Sequence, residues 1–223
     1  MTKTAYLLLF CCLLIFQSCF EIIEQVFLKN DGSGNFELVV NLSKSKTKLN
    51  SISKMRTVNG HEVPTQQQIR EKVAGIEKAV SKTAGITNVK TTLDFDNYIA
   101  TIKCDFNKVT QLNAVVKNLT ESVANMPKNA AQIYSYDAAA NIFSRLNNYS
   151  LKKDYQKMSN ADKEVFSTAN YTFIYKFEPT VTATSNKEAK VSPSKKAVML
   201  KLNALDIITE KKSIENKIQL TKP

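Results

Sequence analysis

At 223 residues, with 43% hydrophobic and 23% charged residues, the chain is long enough for one sizeable core or two small ones and has the make-up of an ordinary globular protein. That make-up excludes collagen-like, coiled-coil and broadly disordered chains. The formal charge of +11 favours acidic partners such as anionic lipid, lipid phosphates or nucleic acid, without choosing among them.

The first twenty residues depart from this average. Lys3 supplies a positive leader, and Ala5 to Phe16 is an unbroken apolar run of 12 residues. That length suits the hydrophobic region of a secretory signal and falls short of the ~20 residues that span a bilayer. The run ends at Phe16-Gln17-Ser18-Cys19, which resembles the bacterial lipobox, where an apolar and a small residue precede an obligatory cysteine. The resemblance implies cleavage between Ser18 and Cys19, a diacylglyceryl thioether on the Cys19 sulfur and acylation of the new amine. Phe16 stands where the family most often has Leu, which keeps the polarity. The cysteines agree with this reading: Cys11 and Cys12 leave with the leader, Cys19 carries lipid, and Cys104 has no partner left. A secreted fold stapled by disulfides is thereby excluded. The expected organisation is a signal peptide over 1–18 and a single lipid-anchored domain over 19–223. Of charged residues the leader removes only Lys3, leaving 30 basic and 20 acidic residues, so the mature side chains sum to +10.

Strand formers begin almost at the cysteine, with Val26 and Leu28 alternating against Gln25 and Phe27. Asn30-Asp31-Gly32-Ser33-Gly34 then turns the chain into a second strand whose Phe36, Leu38, Val40 and Leu42 share a face, which predicts a β-hairpin. A lipobox cysteine followed by strand, D-G-S-G turn and strand resembles a class of bacterial lipoproteins and, more distantly, the LppM-type lipoprotein domain. The resemblance covers about the first quarter of the chain. It implies location and carries no catalytic residues with it.

Ser43 to Met55 is polar and basic without clear periodicity and reads as a loop or frayed helix. Thr65 with Gln68 forms a capping-box pair opening a helix whose Ile69, Val73, Ile76 and Val80 make one stripe before Gly85. Two strands follow, with Val89, Thr91, Leu93 and Phe95 on one face of the first and Tyr98, Ala100, Ile102, Cys104 and Phe106 on one face of the second, turning at Asp96-Asn97. Asn107 is the expected cap of a second amphipathic helix bearing Val109, Leu112, Val116, Leu119 and Val123, which Met126-Pro127 ends. The ββα-ββα order through residue 126 predicts an α+β fold: an antiparallel sheet with both amphipathic helices on one face, extended over 127–223 mainly by further strands. In that extension, strands are expected at 132–136, 141–146, 171–177 and 197–202. A capped helix is expected at 159–166, an exposed loop over 184–196, and an edge strand at 214–220.

The search for chemistry yields weak candidates. His61 beside Glu62 is the sole histidine, so an ordinary zinc site cannot be assembled, and it reads as a surface loop residue after Asn59-Gly60. Cys104 alternates with apolar residues and reads as a buried, inert thiol. Asp94, Asp96 and Asp105 could converge as catalytic or calcium-binding carboxylates, although Asp is ordinary at turns and strand ends. Asp31 to Gly34 lacks the loop-to-helix context of a phosphate cradle. Lys44, Lys46, Lys48, Lys54 and Arg56 form a basic stretch suited to anionic headgroups, or simply to solvent. Tyr134, Tyr136, Tyr149, Tyr155, Tyr171 and Tyr175 could line a ligand groove or pack in sheets. The glycosylation-type triplets at Asn41, Asn118, Asn148 and Asn170 have no meaning in a bacterial protein.

The reading is a non-enzymatic binding, scaffolding or assembly module, with no catalytic, cofactor or metal site. Its expected partners are the membrane through its anchor, an envelope protein or anionic lipid headgroups, and not nucleic acid. The alternatives are an envelope hydrolase built on Asp94, Asp96 or Asp105 and a surface-exposed binder of glycan or host ligands. Phe20, rather than Asp, follows Cys19, so the inner-membrane retention signal of some lipoproteins is missing and the outer membrane, facing the periplasm, is the expected address.

Overall fold

The computed structural model describes residues 20–121, 132–147 and 150–222. The leader with Ser18 and Cys19, and also Val123, Met126, Pro127, Asn148 and Tyr149, lie outside the described residues. The first two strands, β1 (Glu21–Leu28) and β2 (Gly34–Asn41), pair antiparallel with Leu28 opposite Gly34, so Val26 and Phe36 meet on the inner face. The expected turn joins them. The Asp31 carboxylate accepts the Ser33 backbone N–H at 2.9 Å and its hydroxyl at 2.7 Å, and Gly32 takes φ +81°, which an L side chain adopts rarely. These two hydrogen bonds hold the Asp31 carboxyl below the usual carboxylate range.

The basic segment after β2 is a 3₁₀ turn at Ser43–Ser45 running into a short helix α1 (Lys46–Ile52) without a side-chain cap. A two-stranded hairpin follows, β3 (Thr57–Val58) and β4 (His61–Glu62), where a loop was expected. Its turn residues Asn59 and Gly60 take φ of 52° and 80°, the pair of positive values that a tight hairpin turn requires. Helix α2 (Gln66–Ser81) opens on the Thr65–Gln68 capping box, with hydrogen bonds of 3.2 and 2.8 Å in the two directions.

Strands β5 (Ile86–Asp94) and β6 (Ile99–Phe106) pair as expected, and Ile102, Cys104 and Phe106 are buried. Tyr98 differs: it stands before β6 in the left-handed region (φ 55°), and its hydroxyl donates to Asn50 Oδ1 at 2.7 Å. Asn107 differs too. It does not cap helix α3 (Leu112–Glu121); instead Gln111 Oε1 accepts the N–H groups of Asn107 and Lys108, because the helix is entered through a 3₁₀ turn at Val109–Gln111.

The C-terminal part supplies β7 (Tyr134–Asp137), β8 (Ile142–Arg145), helices α4 (Lys152–Lys157) and α5 (Asn160–Ser167), β9 (Asn170–Phe177), β10 (Val181–Thr184), β11 (Lys190–Val191), β12 (Ala197–Asn203), helix α6 (Ala204–Ile208) and β13 (Asn216–Leu220). Ser159 caps α5, accepting the Asp162 N–H at 3.2 Å. The stretch expected as an exposed loop, 184–196, contains the end of β10 and all of β11, which pairs with β12. The last strand is not an edge strand: β13 lies inside a four-stranded sheet ordered β10-β13-β8-β7.

The larger sheet has seven strands in the order β11-β12-β9-β1-β2-β6-β5. All its pairs are antiparallel except β1 with β9, so the first strand is central and its parallel partner comes from the far end of the chain. The fold is α+β. One face of this sheet carries Val26, Phe36, Cys104, Phe173, Tyr175 and Leu200, all at most 1% exposed. Helix α2 packs on β5 and helix α3 packs on α2, while the small sheet reaches the same core through Phe143, whose ring lies 5.1 Å from Tyr175 and 5.5 Å from Phe177. The opposite face is polar, with ion pairs Lys103–Glu37 at 3.0 Å and Lys201–Glu21 at 2.8 Å.

Candidate functional site: an apolar cavity at one end of the large sheet

Strand alternation predicts apolar side chains along the inner face of β1, and Glu24 breaks the pattern: it falls in phase with Val26 and Leu28 and is 2% exposed. A buried carboxylate requires compensation, which Arg145 at the end of β8 supplies. Arg145 Nε donates to Glu24 Oε1 at 3.3 Å, and the Tyr175 and Tyr171 hydroxyls donate to the same carboxylate at 2.9 and 3.0 Å. Arg145 also donates from Nη1 to the Leu146 carbonyl and lies 5.3 Å from the Tyr134 ring and 5.5 Å from that of Phe173. Burial opposes the charge on Arg145, but the field of Glu24 together with those of Tyr134, Tyr175 and Tyr171 outweighs it and holds the guanidinium protonated well above its ordinary range. Burial, with the Glu24 charge adding to it, pushes the Tyr134 and Tyr175 hydroxyls well up. The Tyr134 hydroxyl is buried with no hydrogen-bond partner among the described residues.

Glu24, Arg145 and Tyr171 of this polar group form the floor of a cavity of about 930 Å³. Its sheet wall is Ile22, Phe36, Leu38, Val40 and Tyr171; the other walls are Val116 and Leu119 of α3, Tyr155 of α4, Phe166 of α5 and Ile207 of α6. Phe20, the residue next to Cys19, is part of the lining and sets its ring 6.5 Å from Phe166. The polar lining includes Ser150, Asp154, Lys157 and Glu210: Asp154 and Lys157 pair at 3.8 Å, and the Ser150 hydroxyl donates to Glu210. The volume lies within the ~300 to 1,000 Å³ typical of small-molecule sites, and the mostly apolar lining with a few polar groups is what such sites carry. The chemistry offered is burial of an apolar group. A shallower groove of about 600 Å³ runs between α2 and β5, where Glu77 is taken up by the Thr91 N–H and hydroxyl.

The residues singled out from sequence are scattered. Asp94 and Asp105 stand near opposite ends of the β5–β6 hairpin, facing Ile99 and Thr87 respectively, so the hairpin length separates them. Each is engaged locally: Asp94 accepts the Asn97 side-chain and backbone N–H groups, which lower its pKa, and Asp105 accepts Asn88 Nδ2 at 2.6 Å. Asp96 is an exposed turn residue. None of the three lines the cavity. His61 is exposed and lies 3.4 Å from Asp162, whose carboxyl is lowered first by the Ser159 hydroxyl and then by this contact. Glu62 is exposed beside it. Cys104 is 1% exposed, and burial pushes its thiol up to about 12. Among the described residues no three His, Cys, Asp or Glu side chains gather as metal ligands.

Of the tyrosines, Tyr134 and Tyr175 are in the core, Tyr155 and Tyr171 line the cavity, and Tyr136 packs against the core from the small sheet. Asn41 accepts the Ser43 N–H, and Asn118 ties α3 to the end of α2 through Ala79 and Thr83. Asn170 opens β9. Sequence reasoning missed Glu24 and Arg145. The signal for Glu24 was a lone acid in phase with an apolar strand face. No such signal marks α4 or α6, which close the cavity with only a few apolar residues each.

No protein-family model matches the chain, and no curated protein does. Among solved structures, the folded domain of Mycobacterium tuberculosis LppM is similar at 15% identity, over 90% of this chain and 87% of that one, with a TM-score of 0.43. Among the described residues no helix is long and apolar enough to cross a membrane.

Proposed function

We propose that this chain is a lipid-anchored, non-enzymatic binding protein of the bacterial cell envelope, whose ligand is an acyl-chain-bearing molecule held in the cavity beside its anchor. One observation carries the proposal: a cavity of about 930 Å³, largely apolar, is lined by Phe20, the residue that follows Cys19 in the chain. The anchor itself rests on Phe16 to Cys19 and on the apolar run before it. Outer-membrane placement rests on Phe20 at the position after the cysteine. The hydrolase alternative loses support from the separation of Asp94 and Asp105.

Two arms test this reading. Metabolic palmitate labelling should mark the wild type and not Cys19→Ala, which should also leave the membrane fraction; an alanine variant that still labels and sediments refutes the anchor. Separately, the purified chain should take up a fluorescent fatty acid, and Leu119→Trp, which fills the cavity from α3, should lose that uptake while keeping its circular dichroism spectrum. Absence of uptake by the wild type, or unchanged uptake by the filled variant, refutes the ligand site.

A further inference from the structure

Segment 43–56 holds five cations, Lys44, Lys46, Lys48, Lys54 and Arg56, and no acid. All five are exposed, and among the described residues none forms an ion pair. Between the last two of them stands Met55, 51% exposed, the most exposed large apolar side chain among the described residues.

The fold fixes where this segment lies. It starts directly after β2, whose last residue Asn41 is opposite Glu21 at the start of β1. Leu42 N–H donates to the Tyr98 carbonyl at 3.0 Å, and the Tyr98 hydroxyl clasps Asn50 of α1, so the segment is held against the β5–β6 turn. The Glu21 carboxyl reports the same neighbourhood: burial raises its pKa, but hydrogen bonds from Lys201 and Thr172, aided by the charges of Lys201 and Lys44, lower it overall. The basic segment, Phe20 and the cavity therefore share one end of the seven-stranded sheet. Of the acids at that end, Glu21 is paired with Lys201 at 2.8 Å and Asp154 with Lys157 at 3.8 Å, and Glu210, Asp94 and Asp96 do not balance five cations.

We infer that the surface formed by residues 43–56 docks on anionic lipid headgroups, with Met55 inserted at their boundary, and so holds this end of the sheet against the bilayer. Charge complementarity supplies the attraction, and an apolar side chain flanked by cations is the arrangement that interfacial segments use. This goes beyond the proposed ligand site and does not require it: the anchor brings the domain to a membrane, while this surface sets its orientation there.

The test uses the unlipidated chain from residue 20 onward, which contains every core residue described above, so that its outcome is independent of Cys19. The chain should co-sediment with vesicles containing phosphatidylglycerol and not with pure phosphatidylcholine vesicles, and binding should fall as salt rises. At about fivefold per basic residue, Lys44→Gln, Lys46→Gln and Lys48→Gln together should weaken partitioning about 100-fold. The control triple Lys29→Gln, Lys108→Gln and Lys195→Gln removes exposed cations at the opposite end and should leave it nearly unchanged. The chain has no tryptophan, so Met55→Trp gives a single reporter whose emission should shift to the blue on phosphatidylglycerol vesicles only. Equal losses from the two triples, binding to neutral vesicles, an unshifted reporter on bound protein, or complete displacement by a short DNA duplex at equal phosphate concentration would each overturn the inference.

Discussion

Glu24→Gln probes the buried ion pair, because it keeps the side-chain shape while removing the charge and one of the two acceptor oxygens. In the wild type both side chains are 3% exposed and bonded at 3.3 Å, so neither charge is hydrated. After the substitution only one of the Tyr171 and Tyr175 hydroxyls, which donate to different carboxylate oxygens, still faces an oxygen, and Arg145 is left as a desolvated cation with no countercharge. Breaking such a pair from one side costs about 3 to 5 kcal/mol. Against a total stability of about 5 to 15 kcal/mol this is a large loss. Arg145→Met should cost a similar amount by stranding the carboxylate, whereas the double variant has no stranded charge and should be less destabilised than the sum of the two, by about 2 kcal/mol or more. Urea titrations followed by far-ultraviolet circular dichroism give all four corners of the cycle, with a common m-value as the condition for comparing them. A loss below about 1 kcal/mol for Glu24→Gln, or strict additivity in the double variant, would show that water reaches the pair and that it does not hold the cavity floor.

The remaining predictions are local. Cys104→Ser should destabilise by about 1 to 3 kcal/mol by placing a hydroxyl in an apolar site, and Cys104→Ala should cost less. With the thiol pushed up to about 12, maleimide should label the native chain far more slowly than the urea-unfolded one at neutral pH, and comparable rates would refute the burial. Gly75→Ala lies within α2 with nothing within 4 Å of the added methyl and should add about 0.5 to 1 kcal/mol of stability, read as a higher urea midpoint. Gly34→Ala should do the opposite, because its methyl would stand 1.8 Å from the Phe27 carbonyl oxygen; a neutral effect there would contradict the β1–β2 register.

Elements whose stability comes from their own residues could be read from the chain directly. The β1–β2 turn closes on Asp31 and Ser33, and α2 opens on Thr65 and Gln68; both use neighbours in sequence, and both appear where residue type and spacing place them. The burial of Cys104 follows from alternation within one strand. What depends on distant partners could not be read this way. The parallel pairing of β1 with β9 joins residues about 150 apart, and nothing in either strand specifies the other. The last strand is expected at an edge, yet it lies inside its sheet because β10 and β8 both find hydrogen-bonding partners in it. The cavity is the clearest case. Its walls come from three strands and four helices brought together from across the chain, of which α4 and α6 carry no sequence signal, and Glu24 becomes tolerable on a buried face only because Arg145, 121 residues later, arrives beside it. A charged residue's environment is set by packing, so a chain reveals that Glu24 is out of place, while only the assembled structure supplies its partner and the space above it.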